Sequence, residues 1–404
     1  MTGITYDDVI KAQHQIAPYI RRTPFIRFDY LSEKLNKEIW LKCENLQRTG
    51  SFKIRGAAAS VLNQMTQAKK ASVVAASAGN HAQGVAAICH ILGIQATIVM
   101  PKTTPLLKVQ NTQSWGAKIV LEGQSYQEAY EAATRLTEEL KAVFVHAFDN
   151  DWTMAGQGTV GLELLEDPAF EAIQSIVVPV GGGGLATGIA TALKAKRPEL
   201  KVYGVGAANA PGVYQSYKTG KLIAVPVAPS LAEGVATKTT TERVLPILKE
   251  RLDDMFTVTE ETIANAISLL VEQGKLVGEG AGVLGIAALL DGKIPEERVA
   301  LIISGGNCDV MSLAHLLQRG LTHQGRLARL LFSLVDRPGS LCAVVECLAA
   351  HSANIVEIRH QRRSMLTPLG GTDVEIDIET KGFEHTDTIF LDLKQRGFHV
   401  QKMV

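Results

Sequence analysis

A lysine set between an aromatic and an apolar residue, in Ser51-Phe52-Lys53-Ile54-Arg55-Gly56-Ala57, is the first residue of this 404-residue chain whose setting suits covalent chemistry. It follows the turn-prone Thr49-Gly50 and precedes an alanine-rich, helix-compatible run. An amine partly withdrawn from water there has a lowered pKa and is a better nucleophile toward an aldehyde. Lysines in such runs more often snorkel to solvent, so the reading of Lys53 rests on three further segments. Val180-Gly181-Gly182-Gly183-Gly184-Leu185 joins an apolar strand pattern to a helical one. Four consecutive glycines let backbone N–H groups converge on an anion at a helix start, where the macrodipole adds to the attraction. The segment lacks the trailing Lys-Ser/Thr of a nucleoside triphosphate loop and the spacing of a dinucleotide fold. The phosphate of a smaller cofactor is therefore the expected ligand. Ala76-Ser77-Ala78-Gly79-Asn80-His81-Ala82-Gln83-Gly84 also opens a helix after a strand. Its N–H groups and the Ser77 hydroxyl can hold a carboxylate, and the Asn80 amide can donate to a phenolic oxygen; Ser77 or Asn80 could equally just cap the helix. Ser304-Gly305-Gly306-Asn307 follows a strand pattern, at the strand end where α/β sheets place ligands. Ser304 can hydrogen-bond a ring nitrogen there, or belong to an ordinary turn.

The elements that must position these groups alternate. Residues 6–17 read as a helix, with Asp7 and Asp8 at its positive end and Pro18 as its stop. Short β-branched runs at 38–42, 72–75, 96–100, 118–121, 143–146, 175–179, 201–205 and 299–303 then alternate with alanine- and leucine-rich helical patterns. Their apolar character is continuous, which suits strands covered by helices on both faces of a mainly parallel α/β sheet. After Ser304 the pattern changes. Helical 311–319 leads to a linker, Gly320-Leu321-Thr322-His323-Gln324-Gly325. Beyond it the sequence predicts strand 326–335, the turn Asp336-Arg337-Pro338-Gly339, helix 340–351, strands 354–360 and 372–380, helix 384–395 and strand 398–403. That order, βαββαβ, is a ferredoxin-like sandwich with its own core.

Composition narrows the class. The 41 basic and 41 acidic residues cancel, so no long-range field recruits nucleic acid or an anionic membrane. Apolar residues are 46% and charged residues 20% of a chain long enough for two or three domains. The five cysteines (Cys43, Cys89, Cys308, Cys342, Cys347) form no C-x-x-C pair, which argues for reduced thiols in a cytoplasmic setting. Met1 to Asp8 carries neither the basic start nor the apolar core of a signal peptide, and no run is long enough to span a membrane.

In this order the four motifs resemble the fold-type II pyridoxal-phosphate enzymes (tryptophan synthase β-like, two α/β subdomains), and more closely the threonine dehydratases, or threonine ammonia-lyases. Ala155-Gly156-Gln157-Gly158-Thr159 and Leu231-Ala232-Glu233-Gly234-Val235 extend the likeness, which runs from about Tyr6 to Met311. The tail resembles an ACT regulatory domain. The resemblance implies a catalytic domain over 1–320 with a small subdomain inserted at about 50–150, a linker at 321–325 and an ACT domain over 326–404. It implies that Lys53 binds pyridoxal 5'-phosphate covalently and then moves the substrate Cα proton, that Gly181, Gly182, Gly183, Gly184 and Leu185 bind the phosphate, and that Phe52 packs on the ring. Asn80 would contact the ring oxygen and Ser304 the pyridine nitrogen, while Ser77, Ala78, Gly79, Asn80 and His81 surround the substrate carboxylate. A hydroxyl at the ring nitrogen favours elimination over chemistry that needs a long-lived carbanion. The expected reaction is loss of water from L-threonine, and from L-serine, giving a 2-oxo acid and ammonia.

Two departures bear on the alternatives. Related serine racemases carry a second serine where this chain has Ala78, and two acidic residues that align with Gly206 and Gly212. A racemase is disfavoured on the first ground and a divalent-cation site on the second; no metal is expected. A β-replacing synthase and a catalytically silent amino-acid sensor are the other competing readings. Glu279 is expected near the cofactor, its role open between orienting and structural. A homotetramer is the family expectation, as is an amino-acid effector, isoleucine or valine, bound where two tails pair.

Overall fold

Continuous apolar runs become strands, most completely covered at the centre of the sheets and open at an edge such as Lys118–Leu121. The computed structural model describes residues 3–68, 72–361 and 370–403; Met1 and Thr2, which open the segment read above for a leader, lie outside them. The described chain divides into two units, Met1–Val310 and Met311–Val404.

The first unit holds two sheets. In the larger, six strands run in the order Phe25–Arg27, Glu38–Cys43, Arg298–Ile303, Ser175–Pro179, Lys201–Ala207 and Asp254–Val258. All its pairings are parallel except the first. The smaller is parallel throughout, in the order Lys118–Leu121, Gln95–Met100, Ser72–Ala76 and Val143–Phe144. Ser175–Pro179 is buried at every position, as expected for a parallel strand sandwiched by helices. The helix read over 6–17 forms as Tyr6–Ile16. Thr5 and Asp8 cap it reciprocally, and Val9, Ala12 and Ile16 line its inner face.

Three expectations change. Phe25–Arg27 and Asp254–Val258 are strands that the sequence reading missed, and strand 143–146 stops at Phe144. His146 leaves the ladder because its Nδ1 accepts the N–H groups of Phe148 and Asp149, which turns the chain. The segment read as a linker is mostly helical: Val310–His323 is one helix, and Gly325, with φ of 68°, follows its end. Gly320 lies buried within it instead of breaking it.

After the helix Val310–His323, the second unit forms β, α, β, β, α and β in chain order, with an antiparallel sheet ordered Asn354–Gln361, Gly371–Glu379, Leu327–Val335 and His399–Met403. Thr372, Val374, Ile376 and Ile378 alternate inward along one strand. They pack with Leu330, Phe332, Val344, Leu348, Ile389 and Leu393 into a separate core. Cys43, Cys89 and Cys347 are buried, whereas Cys342 is exposed, on the helix Ser340–Ala350.

Candidate active site

The residues singled out above gather at the carboxyl ends of the parallel strands, where a doubly covered sheet leaves helix starts and loops open. Lys53 is the first residue of the helix Lys53–Ala68. Its segment is bound to the Ser304 loop: Ser51 pairs with Gly305, and the Phe52 N–H donates to the Ser304 carbonyl at 3.1 Å. The Lys53 amine donates to the Ala147 carbonyl at 3.1 Å and lies 5.2 Å from the centre of the Phe52 ring. Burial lowers its pKa to about 8, with the more distant Glu279 opposing the shift. A neutral, nucleophilic amine is therefore accessible near physiological pH.

Two residues further along the same helix the setting reverses. Arg55 is fully buried and forks onto Glu44 through two bonds of 2.7 Å, while its third arm reaches Glu163 at 2.6 Å. Glu163 also accepts from Lys42 at 2.6 Å, and the Thr23 hydroxyl donates to Glu44 at 2.5 Å. Burial alone would lower the Arg55 pKa, but the two carboxylates hold it above its ordinary value. This closed cluster of two cations and two carboxylates ties the helix of Lys53 to the strand Glu38–Cys43 and the helix Asp151–Leu165.

The four glycines connect Ser175–Pro179 to the helix Gly184–Lys194, which has no side-chain cap. Gly183 takes φ of 99°, a left-handed conformation that suits glycine. A Cβ on Gly182 would stand 2.5 Å from the Phe148 ring, and one on Gly184 would stand 2.9 Å from the Phe148 carbonyl. The close approach leaves the open N–H groups of Gly184, Leu185 and Ala186 as an uncapped anion cradle. Ser77, Ala78, Gly79 and Asn80 form a second, half-buried helix start, Asn80–Leu92, also without a side-chain cap. The Ser77 hydroxyl accepts from the Gly79 N–H at 3.2 Å. His81 lies in the first turn of that helix. Its ring is buried, Nε2 bonds the Val145 carbonyl at 2.9 Å, and burial lowers its pKa to about 3. The ring is thus neutral and committed to the fold, so the backbone N–H is what His81 offers a carboxylate.

Ser304 is buried, and among the described residues its hydroxyl reaches only the Ala281 carbonyl, at a long 3.4 Å, so it can re-aim toward a ring nitrogen. Phosphate cradle, amine, carboxamide and hydroxyl together match the phosphate, aldehyde, ring oxygen and ring nitrogen of pyridoxal phosphate. At Gly212 a Cβ would lie 1.9 Å from the Lys238 carbonyl oxygen, so no side chain, acidic or otherwise, fits without rebuilding that turn.

Sequence reasoning missed four participants. The Ala147 carbonyl, which holds the amine, has no side-chain signature. Phe148 fills the space under the glycines, and Gln157, buried inside a recognised motif, reaches toward the Ala147 carbonyl at 3.5 Å. Asn307 sits in the Ser304 motif but was assigned no task; it donates to Asn80 at 2.8 Å.

Comparison with known proteins agrees with this chemistry. The family model for pyridoxal-phosphate dependent enzymes matches residues 16–305. An L-threonine ammonia-lyase of Thermotoga maritima is 42% identical over 98% of this chain and 99% of its own length. A catabolic L-threonine dehydratase of Staphylococcus aureus is 41% identical over 79% of this chain and 93% of its own. Among solved structures, threonine deaminase isoform 2 from Solanum lycopersicum, in its processed form, superposes with a TM-score of 0.71 at 31% identity, over 79% of this chain and 90% of that one. Maize serine racemase gives 0.74 at 33% identity, over 80% and 99%.

Proposed function

Because this chain belongs to the family of pyridoxal-phosphate-dependent enzymes, we propose that it is a threonine ammonia-lyase that removes water from L-threonine, and from L-serine, to release an enamine that tautomerises and is hydrolysed, taking one water back, to 2-oxobutyrate or pyruvate and ammonia. The observation that carries this reading is the Lys53 amine, held at 3.1 Å from the Ala147 carbonyl with its pKa brought down to about 8, in the same site as an uncapped tetraglycine helix start.

When bound, pyridoxal phosphate supplies the electron sink that makes the Cα proton of an amino acid removable. The chain supplies the rest. Gly181 to Gly184 and Leu185 bind the phosphate through N–H groups. Phe52 packs on the ring, the Asn80 amide donates to the ring oxygen, and the Ser304 hydroxyl meets the pyridine nitrogen without fixing a positive charge there. Ser77 with the backbone of Ala78, Gly79, Asn80 and His81 holds the substrate carboxylate. Lys53 Nζ takes the proton from Cα. Ala78 supplies no hydroxyl for returning a proton to the opposite face, which favours elimination over racemisation. The purified holoenzyme is expected to release 2-oxobutyrate from L-threonine, and borohydride reduction is expected to tag Lys53. Racemisation of L-serine without elimination would replace the lyase by the racemase.

The tail is read as an ACT domain that binds isoleucine or valine. Its βαββαβ order and antiparallel sheet support this, as does the Thermotoga relative, whose match extends through the tail. Such an effector acts by differential affinity for two packings of paired tails in a cytoplasmic homotetramer. Isoleucine or valine is expected to shift the threonine saturation curve of the full chain. If neither does, and a chain ending near Gly320 behaves like the whole protein, the regulatory reading falls.

A further inference from the structure

The Asn80 side chain is held at both ends by groups 199 and 227 residues away in sequence: its Nδ2 lies 2.6 Å from Glu279 Oε1, and its Oδ1 lies 2.8 Å from Asn307 Nδ2. The direction of this chain of bonds is fixed by the backbone. Asn307 Nδ2 also lies 2.7 Å from the Thr49 carbonyl oxygen, which can only accept, so that atom of Asn307 must be nitrogen. Its second hydrogen then goes to Asn80, whose facing atom must be the carbonyl oxygen. The Asn80 nitrogen is left facing Glu279, which accepts through Oε1 whether or not Oε2 carries a proton. One hydrogen on Asn80 Nδ2 remains. On the reading above, in which Asn80 meets the ring oxygen of the cofactor, this remaining Nδ2 hydrogen is the donor Asn80 offers it, with Oδ1 held toward Asn307.

We propose that Glu279 and Asn307 are positioning residues that set the polarity of the Asn80 amide, so that Asn80 donates to the ring oxygen of the bound cofactor and holds it as a phenolate. The fold makes room for this clamp. A Cβ on Gly305 would stand 2.4 Å from Glu279 Oε1, so the Ser304 loop can pass that close to the carboxyl group only with glycine there. The Glu279 N–H also donates to the Gly305 carbonyl at 3.0 Å. Burial pushes the Glu279 pKa up to about 7, against the Asn80 bond and the Lys108 and Lys53 charges, with the Glu233 carboxylate adding to the rise. Lys108 and Glu233 form an ion pair with one another, and the Cys308 thiol feels the Glu279 charge. Proton uptake by Glu279 near neutrality therefore leaves Oε1 an acceptor and the clamp intact.

The test is a pH titration of the visible absorption of the reconstituted holoenzyme, read as the midpoint at which the ring oxygen takes up a proton. In N307D the carboxylate cannot donate to Asn80. The amide turns over, and the midpoint is expected to rise by at least about one pH unit, a tenfold change in proton affinity. E279A is expected to move it the same way by less, and E279Q, whose amide oxygen still accepts from Asn80, to restore it. Midpoints equal to that of the unmodified enzyme in N307D and E279A would overturn the proposal. So would E279Q moving as far as E279A, or variants that lose only melting temperature or cofactor affinity. Should N307D fail to fold, the E279A and E279Q pair decides alone. Borohydride tagging of Lys53 in the unmodified enzyme reports on the parent reading independently of these outcomes.

Discussion

Lys53 and Arg55 stand two positions apart on one helix, and their surroundings treat them in opposite ways. Arg55 is met by two carboxylates and held as a cation beyond its ordinary range, while Lys53 is met by a carbonyl and brought down to about 8. Burial opposes charge at both sites. What separates them is whether a carboxylate stands within bonding distance. The fold thus uses one buried cation as a permanent fastener and keeps its neighbour able to lose a proton and form a bond.

Breaking the chemical side of this contrast carries the largest effect. K53A is expected to lower 2-oxobutyrate release from threonine by at least ~10³-fold and to abolish the visible absorbance of the reconstituted protein. K53R, which retains a cation that cannot deprotonate, should be equally inactive. On the structural side, R55L leaves Glu44 and Glu163 with Lys42 as their remaining cation, and the loss of stability should be about 3–5 kcal/mol, measured by urea unfolding. The Lys53 amine would still be present, so soluble R55L protein of normal stability would show that the cluster is not the fastener described. G182A drives a methyl group onto the Phe148 ring, at a cost of about 1–3 kcal/mol. This should appear as weaker pyridoxal phosphate binding, with Lys53 still tagged at saturating cofactor.

The smallest effect is a pH profile. With its pKa lowered to about 8, the Lys53 amine is protonated below that pH and has no lone pair to attack an aldehyde. The rate at which apoprotein captures pyridoxal phosphate should fall about tenfold per unit below pH 8 and level off above it. A profile still rising past pH 10, the range of an unburied lysine, would remove the contrast with Arg55.

Much of this was legible in the chain. Ser175–Pro179 forms at the position read for it, because an uninterrupted apolar run admits little else between helices, and Lys118–Leu121 forms at its position as a half-covered edge strand of the smaller sheet. Phe25–Arg27 was missed because three residues carry no period, and its strand exists through pairing with Glu38–Cys43. Asp254–Val258 neither alternates nor runs continuously apolar: at the edge of the sheet it is half-covered, with Met255 and Val258 buried, and it lacks the signature of the interior strands. Lys53, the tetraglycine helix start and Ser304 could be singled out because each sits in a local motif. The Asn80 clamp could not, since its parts meet only after two hundred residues have folded. The Arg55 cluster was hidden for the same reason: buried and surface arginines look alike in a sequence.

Cys342 offers a practical handle. It is an exposed thiol on the tail, whereas Cys43, Cys89 and Cys347 are enclosed and Cys308 is half-covered. Its hydrogen bond to Glu346 raises its pKa, which keeps it sluggish at neutral pH and quickens it as the solution is made alkaline. A maleimide dye attached there would report on movements of the C-terminal sandwich during turnover, far along the chain from the groups that do the chemistry.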